Sequence, residues 1–282
     1  MKNSNISTPA RRTLAALGLL AISSSALAHD IYIWPSFFTI DAEPSAASKV
    51  PVTVTATHTT FRPDFAMPSD GVKIYDVEGK PVRGTGPYYQ GSRLSTFDLA
   101  ADQEGTYLIQ YKRDAAYNTT YQKAGSKSDQ PRRFRGNKSQ AKAELPEDAT
   151  DIKTSRFDSV AMAYVTNKAP TTKVLEPKNK GFEVLPVTHP ADYITGEDLV
   201  ISLLNNGEPV KGLDVVIEQE GPKYKKDPVV MELKSDEEGK VSFNLDEGGR
   251  YMFKATYERD SADPEADIEV SRVFYAFEVI YE

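Results

Sequence analysis

The chain has 282 residues, with 34 Lys and Arg against 41 Asp and Glu, three His, one Trp and no Cys. A formal charge of −7 argues against nucleic acid or anionic lipid as a partner and is compatible with cations. Without cysteine no disulfide can form, so stability must come from packed cores alone.

Residues 1–28 have the three parts of a secretory signal: a basic start with Lys2, Arg11 and Arg12, an apolar run over 14–22, and the small-residue end Ala26-Leu27-Ala28. The Arg11-Arg12 pair is read as part of the basic region, because Thr13-Leu14-Ala15 matches a twin-arginine signal only loosely. A lipoprotein would need a cysteine at the cut. No later stretch approaches the 18 apolar residues of a membrane helix. Removing the leader takes away three basic and no acidic residues, leaves a more acidic chain long enough for two domains of ordinary size, and implies a periplasmic location.

Cleavage after Ala28 leaves His29 as the first residue. A terminal histidine offers two donors that an internal one lacks as a pair, its free α-amine and its own Nδ1, which close a six-membered ring around one ion. First-row divalent metals favour such nitrogen donors, Cu(II) most strongly. Residues 31–35, Ile-Tyr-Ile-Trp-Pro, then read as a short strand stopped by proline that would hold the chelate rigidly, with Trp34 as a core anchor.

Residues 50–58 form the cleanest strand pattern, with Val50, Val52, Val54 and Ala56 on one face and Thr53, Thr55 and Thr57 on the other. His58 shares the parity of the valines, so it closes the buried face, where an imidazole needs a hydrogen-bond partner or a metal. Further strands are expected over 72–77, 94–99 and 106–111, separated by turn sequences at 78–81 and 102–105, which describes an antiparallel sandwich. Tyr88-Tyr89 sits in the Gly/Pro-rich loop 84–91.

From 112 to 155 the apolar periodicity breaks down in a long charged excursion, with a helix-compatible stretch at 138–144 and a basic cluster Arg132-Arg133-Phe134-Arg135 read as a solvated patch. A closing strand follows over 157–166. These elements define an N-terminal domain, 29–168, a linker over 169–181 rich in Pro, Lys and Asn, and a C-terminal domain, 182–282. In the last, strands are expected at 182–187, 199–204, 213–219, 229–233, 241–245, 250–257 and 270–281. Turn signals at 205–209 and 236–239 separate some of them, giving an immunoglobulin-like or transthyretin-like sandwich. His189, in Val187-Thr188-His189-Pro190, lies just past the linker, where it can face the first domain.

Several stretches together resemble a family of exported bacterial proteins known as a domain of unknown function and labelled as a periplasmic cobalt/nickel uptake component (NikK-like). They are Ala28-His29 with Trp34-Pro35-Ser36, Arg133-Phe134-Arg135-Gly136, residues 145–151, Ala169-Pro170-Thr171, residues 181–190 ending in Val187-Thr188-His189-Pro190, and residues 207–212. The resemblance implies two consecutive β-sandwich modules, the mature N-terminal histidine, His29, as prime metal ligand, and His189 as a second position. His58 is not part of the family pattern and makes a third ligand available.

The function expected first is that of a non-enzymatic periplasmic protein that binds a divalent transition metal ion, Ni, Co or Cu, and passes it to an inner- or outer-membrane metal transporter. The ligands would be His29 with His189 or His58. Two alternatives use the same fold: a copper oxygenase acting on polysaccharide through a terminal-histidine brace, and a metal-free structural or adhesion protein. No P-loop, dinucleotide fingerprint or zinc-protease helix motif is present.

Overall fold

The computed structural model describes residues 29–58, 61–126, 128, 130–221 and 229–282. The leader expected at 1–28 lies outside them. The chain runs through β1 (Asp30–Pro35), β2 (Thr39–Ile40), β3 (Lys49–Thr57), β4 (Phe65–Ala66), β5 (Val72–Tyr75), β6 (Pro81–Val82), β7 (Tyr88–Gln90), β8 (Ser95–Ala100) and β9 (Gly105–Lys112). Next come β10 (Ala116–Lys123), β11 (Arg132–Phe134), helix α1 (Lys138–Glu144) and the 19-residue β12 (Ala149–Asn167). The remainder is β13 (Phe182–Pro186), β14 (Leu199–Asn205), β15 (Glu208–Pro209), β16 (Asp214–Gln219), β17 (Val229–Lys234), β18 (Lys240–Phe243), β19 (Gly249–Asp260) and β20 (Ile268–Val279). The fold is nearly all β, as its alternating sequence pattern requires.

Three sheets form. The first has the order β1-β3-β8-β7, with β4 added to β3; the third has the order β13-β14-β15, with β18 on β14. Between them a large sheet runs β17-β16-β19-β20-β12-β9-β5-β6, and β10, with β11 on its far side, extends it along the first half of β12. Its seam is parallel, β12 against β20 from Ser155↔Ile268 to Ala163↔Ala276.

Because successive residues of a strand face opposite sides, this middle sheet serves both cores. Ala161, Ala163 and Val165 of β12, with Phe274 and Ala276 of β20, join the first core beside Ile31, Ile33, Val52 and Val54. The alternating neighbours Met162, Tyr164, Val273, Tyr275 and Phe277 join the second beside Val184, Ile201 and Val241. A sheet buried on both faces cannot carry a polar stripe, which is why residues 160–165 and 273–277 read as unbroken apolar runs.

The threonine face of β3 is not left to solvent. Thr55 is fully buried, its Oγ1 3.0 Å from the Phe65 carbonyl and 2.9 Å from that of Arg93, and Thr57 Oγ1 donates to the carbonyl of Arg62. Chain from β4 and from the segment before β8 therefore covers that face through hydrogen bonds. Trp34 is buried as expected, packed on Phe38 and Phe61.

The charged excursion over 112–155 is built onto the large sheet by polar means. Thr119 and Thr154 are both fully buried and share a hydrogen bond of 2.8 Å, and Thr119 Oγ1 also donates to the Gly136 carbonyl. Helix α1 is closed by a reciprocal cap between Asn137 and Gln140 and is docked by Ser139 on Glu265 and Lys138 on Asp267. Arg132, Arg133 and Arg135 are exposed. In the stretch expected as a linker, Val174 is buried in the second core within a single 3-10 turn, Lys173–Leu175. Among the described residues, no helix is long and apolar enough to cross a membrane.

Candidate metal centre

The register of the first sheet determines which histidines meet. β1 and β3 pair antiparallel from Pro35↔Val52 to Asp30↔Thr57. One further step along that ladder sets His29 opposite His58. Cross-strand neighbours have Cβ atoms about 5 Å apart, and the two imidazoles touch, with ring centroids 3.9 Å apart and planes at 71°. Phe65, at the start of β4, packs its ring 4.5 Å from His29 and 5.9 Å from His58.

Asp64 fixes His58. Its Oδ2 accepts the His58 backbone N–H at 2.9 Å and lies 3.2 Å from Nδ1. With Nδ1 as the donor, a neutral His58 carries its lone pair on Nε2, and the side chain is half-exposed. A carboxylate behind a histidine is the usual second layer of a metal site, because it fixes the tautomer and raises the basicity of the ligating nitrogen. The same backbone N–H, and then the ring hydrogen bond, hold the Asp64 carboxyl below its ordinary range.

His29 is half-buried, and its Nε2 is buried without a hydrogen-bond partner. A buried nitrogen in that condition costs about 1–3 kcal/mol. Burial first, and then the His58 charge, push its pKa below the ordinary histidine value, which favours the neutral ring.

Asp30, immediately after His29, ties the end of β1 to the large sheet. It accepts from Arg272 Nη2 at 2.5 Å and from Lys254 Nζ at 2.9 Å, and Lys254 also lies 2.9 Å from Glu218 Oε2. A cleft of about 220 Å³ is lined by Met67, Pro68, Asp70, Gly71, Tyr111, Lys112, Arg113 and Asp114. It begins two residues beyond Phe65, and the Arg113 charge is felt at His29.

His189 is elsewhere. Its Nδ1 accepts the Ala191 N–H at 3.1 Å, so the proton sits on Nε2, which faces the Thr171 carbonyl at 3.2 Å and Thr106 Oγ1 at 3.1 Å. Thr106 pairs with Thr166 of β12, whereas Arg272, the partner of Asp30, pairs with Ser159. That separation is roughly 23 Å along the strand. His189 does face the first half of the chain, but its Nε2 is spent on Thr106 and the Thr171 carbonyl and its Nδ1 on the local Ala191 N–H.

The arrangement thus brings together two of the three histidines singled out from the sequence and adds Asp64, Phe65 and Asp30, which sequence reasoning missed. Among the described residues, no group of three or more His, Asp or Glu is arranged to hold an ion. The pair supplies two imidazole nitrogens. The donor chemistry fits a nitrogen-preferring first-row metal.

Among solved structures, the chain is similar to the D0-D1 domain of intimin (12% identity, 87% of this chain and 96% of that one, TM-score 0.21). It is also similar to Escherichia coli alpha-2-macroglobulin activated by porcine elastase (10%, 86% and 30%, TM-score 0.20). A third similarity is to domains A168-A170 of titin (10%, 90% and 100%, TM-score 0.19). No curated protein sequence matches. A family model does match, over residues 26–259, which include His29, His58, Asp64 and His189: the chain belongs to the family described as Domain of unknown function (DUF4198).

Proposed function

We propose that this chain is an exported, periplasmic protein that binds a divalent transition metal ion through its mature N-terminal histidine and His58, and serves as a non-enzymatic accessory to metal uptake. The observation that carries the reading is the cross-strand contact of His29 with His58, in which the Asp64 carboxylate faces Nδ1 of the His58 ring. Cleavage after Ala28 completes the donor set, because the α-amine and Nδ1 of His29 chelate and His58 Nε2 supplies the third nitrogen. Nickel, cobalt and copper all accept such a set, copper most tightly. The open positions suit an ion that has to be handed on to a membrane transporter.

The test compares the processed protein, beginning at His29, with a form carrying one extra N-terminal methionine, which turns the α-amine of His29 into an amide. Affinity for Cu(II) or Ni(II), measured by titration calorimetry, is expected to fall at least about tenfold, or roughly 1.4 kcal/mol. Equal affinity in the two forms would sink the chelate.

A further inference from the structure

The terminus that carries His29 has no ladder bond of its own. β1 begins at Asp30↔Thr57, so after cleavage His29 is a single residue beyond the last pair, attached on one side only. Chain ends of this kind fray unless something ties them down, yet a chelate needs His29 held against His58.

Asp30 has the contacts to do this. Its two carboxylate oxygens are divided between two cations of the large sheet, Oδ1 with Arg272 at 2.5 Å and Oδ2 with Lys254 at 2.9 Å. The partners stand on adjacent strands, since Lys254 of β19 pairs with Phe274 and Arg272 of β20 with Thr256. Glu218 of β16 closes the row against Lys254. Asp30, Lys254, Arg272 and Glu218 are 23%, 19%, 19% and 12% exposed, well away from the fully solvated condition in which an ion pair contributes little. The three side chains on the large sheet bring two positive charges and one negative, and Asp30 brings the second negative. A carboxylate held from two directions is restrained from swinging.

We propose that Asp30 is the positioning residue of the histidine pair: its ion pairs with Arg272 and Lys254 clamp the mature terminus to the far half of the chain and hold His29 in register with His58. Metal affinity then depends on two side chains more than 220 residues away in sequence. The binding arm of this proposal rests on the metal-binding reading above; the geometric arm does not.

The experiment uses the processed protein and its Asp30→Asn, Asp30→Glu and Arg272→Met variants. In the metal-free state, two-dimensional NMR is expected to give a nuclear Overhauser contact between the His29 and His58 ring protons that Asp30→Asn abolishes while the far-UV circular dichroism stays that of wild type. Cu(II) affinity is expected to fall at least tenfold in Asp30→Asn and to recover in part in Asp30→Glu, an outcome a general loss of stability would not give. Should Asp30→Asn fail to fold, Arg272→Met, which keeps Asp30 on Lys254, is expected to weaken both the ring contact and the affinity by a smaller factor. A folded Asp30→Asn or Arg272→Met with the ring contact intact and wild-type affinity overturns the proposal. If processed wild type binds no Cu(II), the metal-binding reading fails, and the ring contact alone decides the role of Asp30.

Discussion

His29 with His58, and His189, are the same residue type in two opposite conditions. At His189 an N–H donor faces one nitrogen and acceptors face the other, so the imidazole behaves as a rigid polar staple between β9, the connecting segment and the turn that follows it. At the end of β1 and β3 the polar partners run out. Asp64 takes one nitrogen of His58, and His29 Nε2 is buried with none. The difference teaches that nearness to another half of the chain does not make a histidine available to an ion, because both nitrogens of His189 are already bonded within the fold.

Substitutions should break that comparison in opposite directions. His58→Ala is expected to cost at least about 100-fold in Cu(II) affinity, roughly 2.7 kcal/mol, with stability unchanged within about 0.5 kcal/mol because the side chain is half-exposed. Calorimetric titration and thermal melts of one preparation check both halves of the statement. Asp64→Asn keeps the shape of the second layer and removes its charge, and is expected to weaken binding about tenfold. His189→Ala should do the reverse. It leaves the Ala191 N–H and the Thr171 carbonyl without their partner, so about 1–3 kcal/mol of stability is lost in a urea titration while metal affinity stays that of wild type. A drop in affinity at His189→Ala equal to that at His58→Ala would merge the two classes.

What the sequence could and could not reveal follows from the same physics. The alternation in 50–58 marks β3, although His58, expected to close its buried face, lies one residue past the strand and is half-exposed, and the helix-compatible stretch at 138–144 coincides with α1. That His29 faces His58 was not legible, because 13 residues, Ser36 to Ser48, join β1 to β3 and no tight turn fixes their register. Asp64 gave no signal either, since it sits in a short polar turn and earns its role only when β4 folds back on Ala56. The order of 112–155 escaped an apolar search because its central contact is a pair of buried threonines. The shared middle sheet left a trace in the long apolar runs of β12 and β20, but pairing them in parallel needs the tertiary fold.

The smallest effect separates the members of the pair by pH. The pKa of His29 in the fold lies below 6.5, lowered first by burial and then by His58, with Arg113 adding to the shift and Asp64 and Asp30 opposing it. Well above the ordinary histidine pKa of 6.5 both folded and unfolded chains hold this ring neutral, and its contribution to stability does not vary. Between 6.5 and the lowered folded value the unfolded chain binds the proton first, so stability falls as the solution is acidified through that window and levels off below it. Asp64 acts in a separate window. Its folded pKa lies below 3.8, so the stability it provides is present above 3.8 and is lost as pH falls through the lowered value. Thermal melts of metal-free protein from pH 8 to about 5 are therefore expected to show a shallow decline that His29→Gln flattens and Asp64→Asn leaves in place. A decline that survives His29→Gln unchanged would mean that the nitrogen without a partner is not the group resisting protonation, and the distinction between the two kinds of histidine would then rest on metal affinity alone.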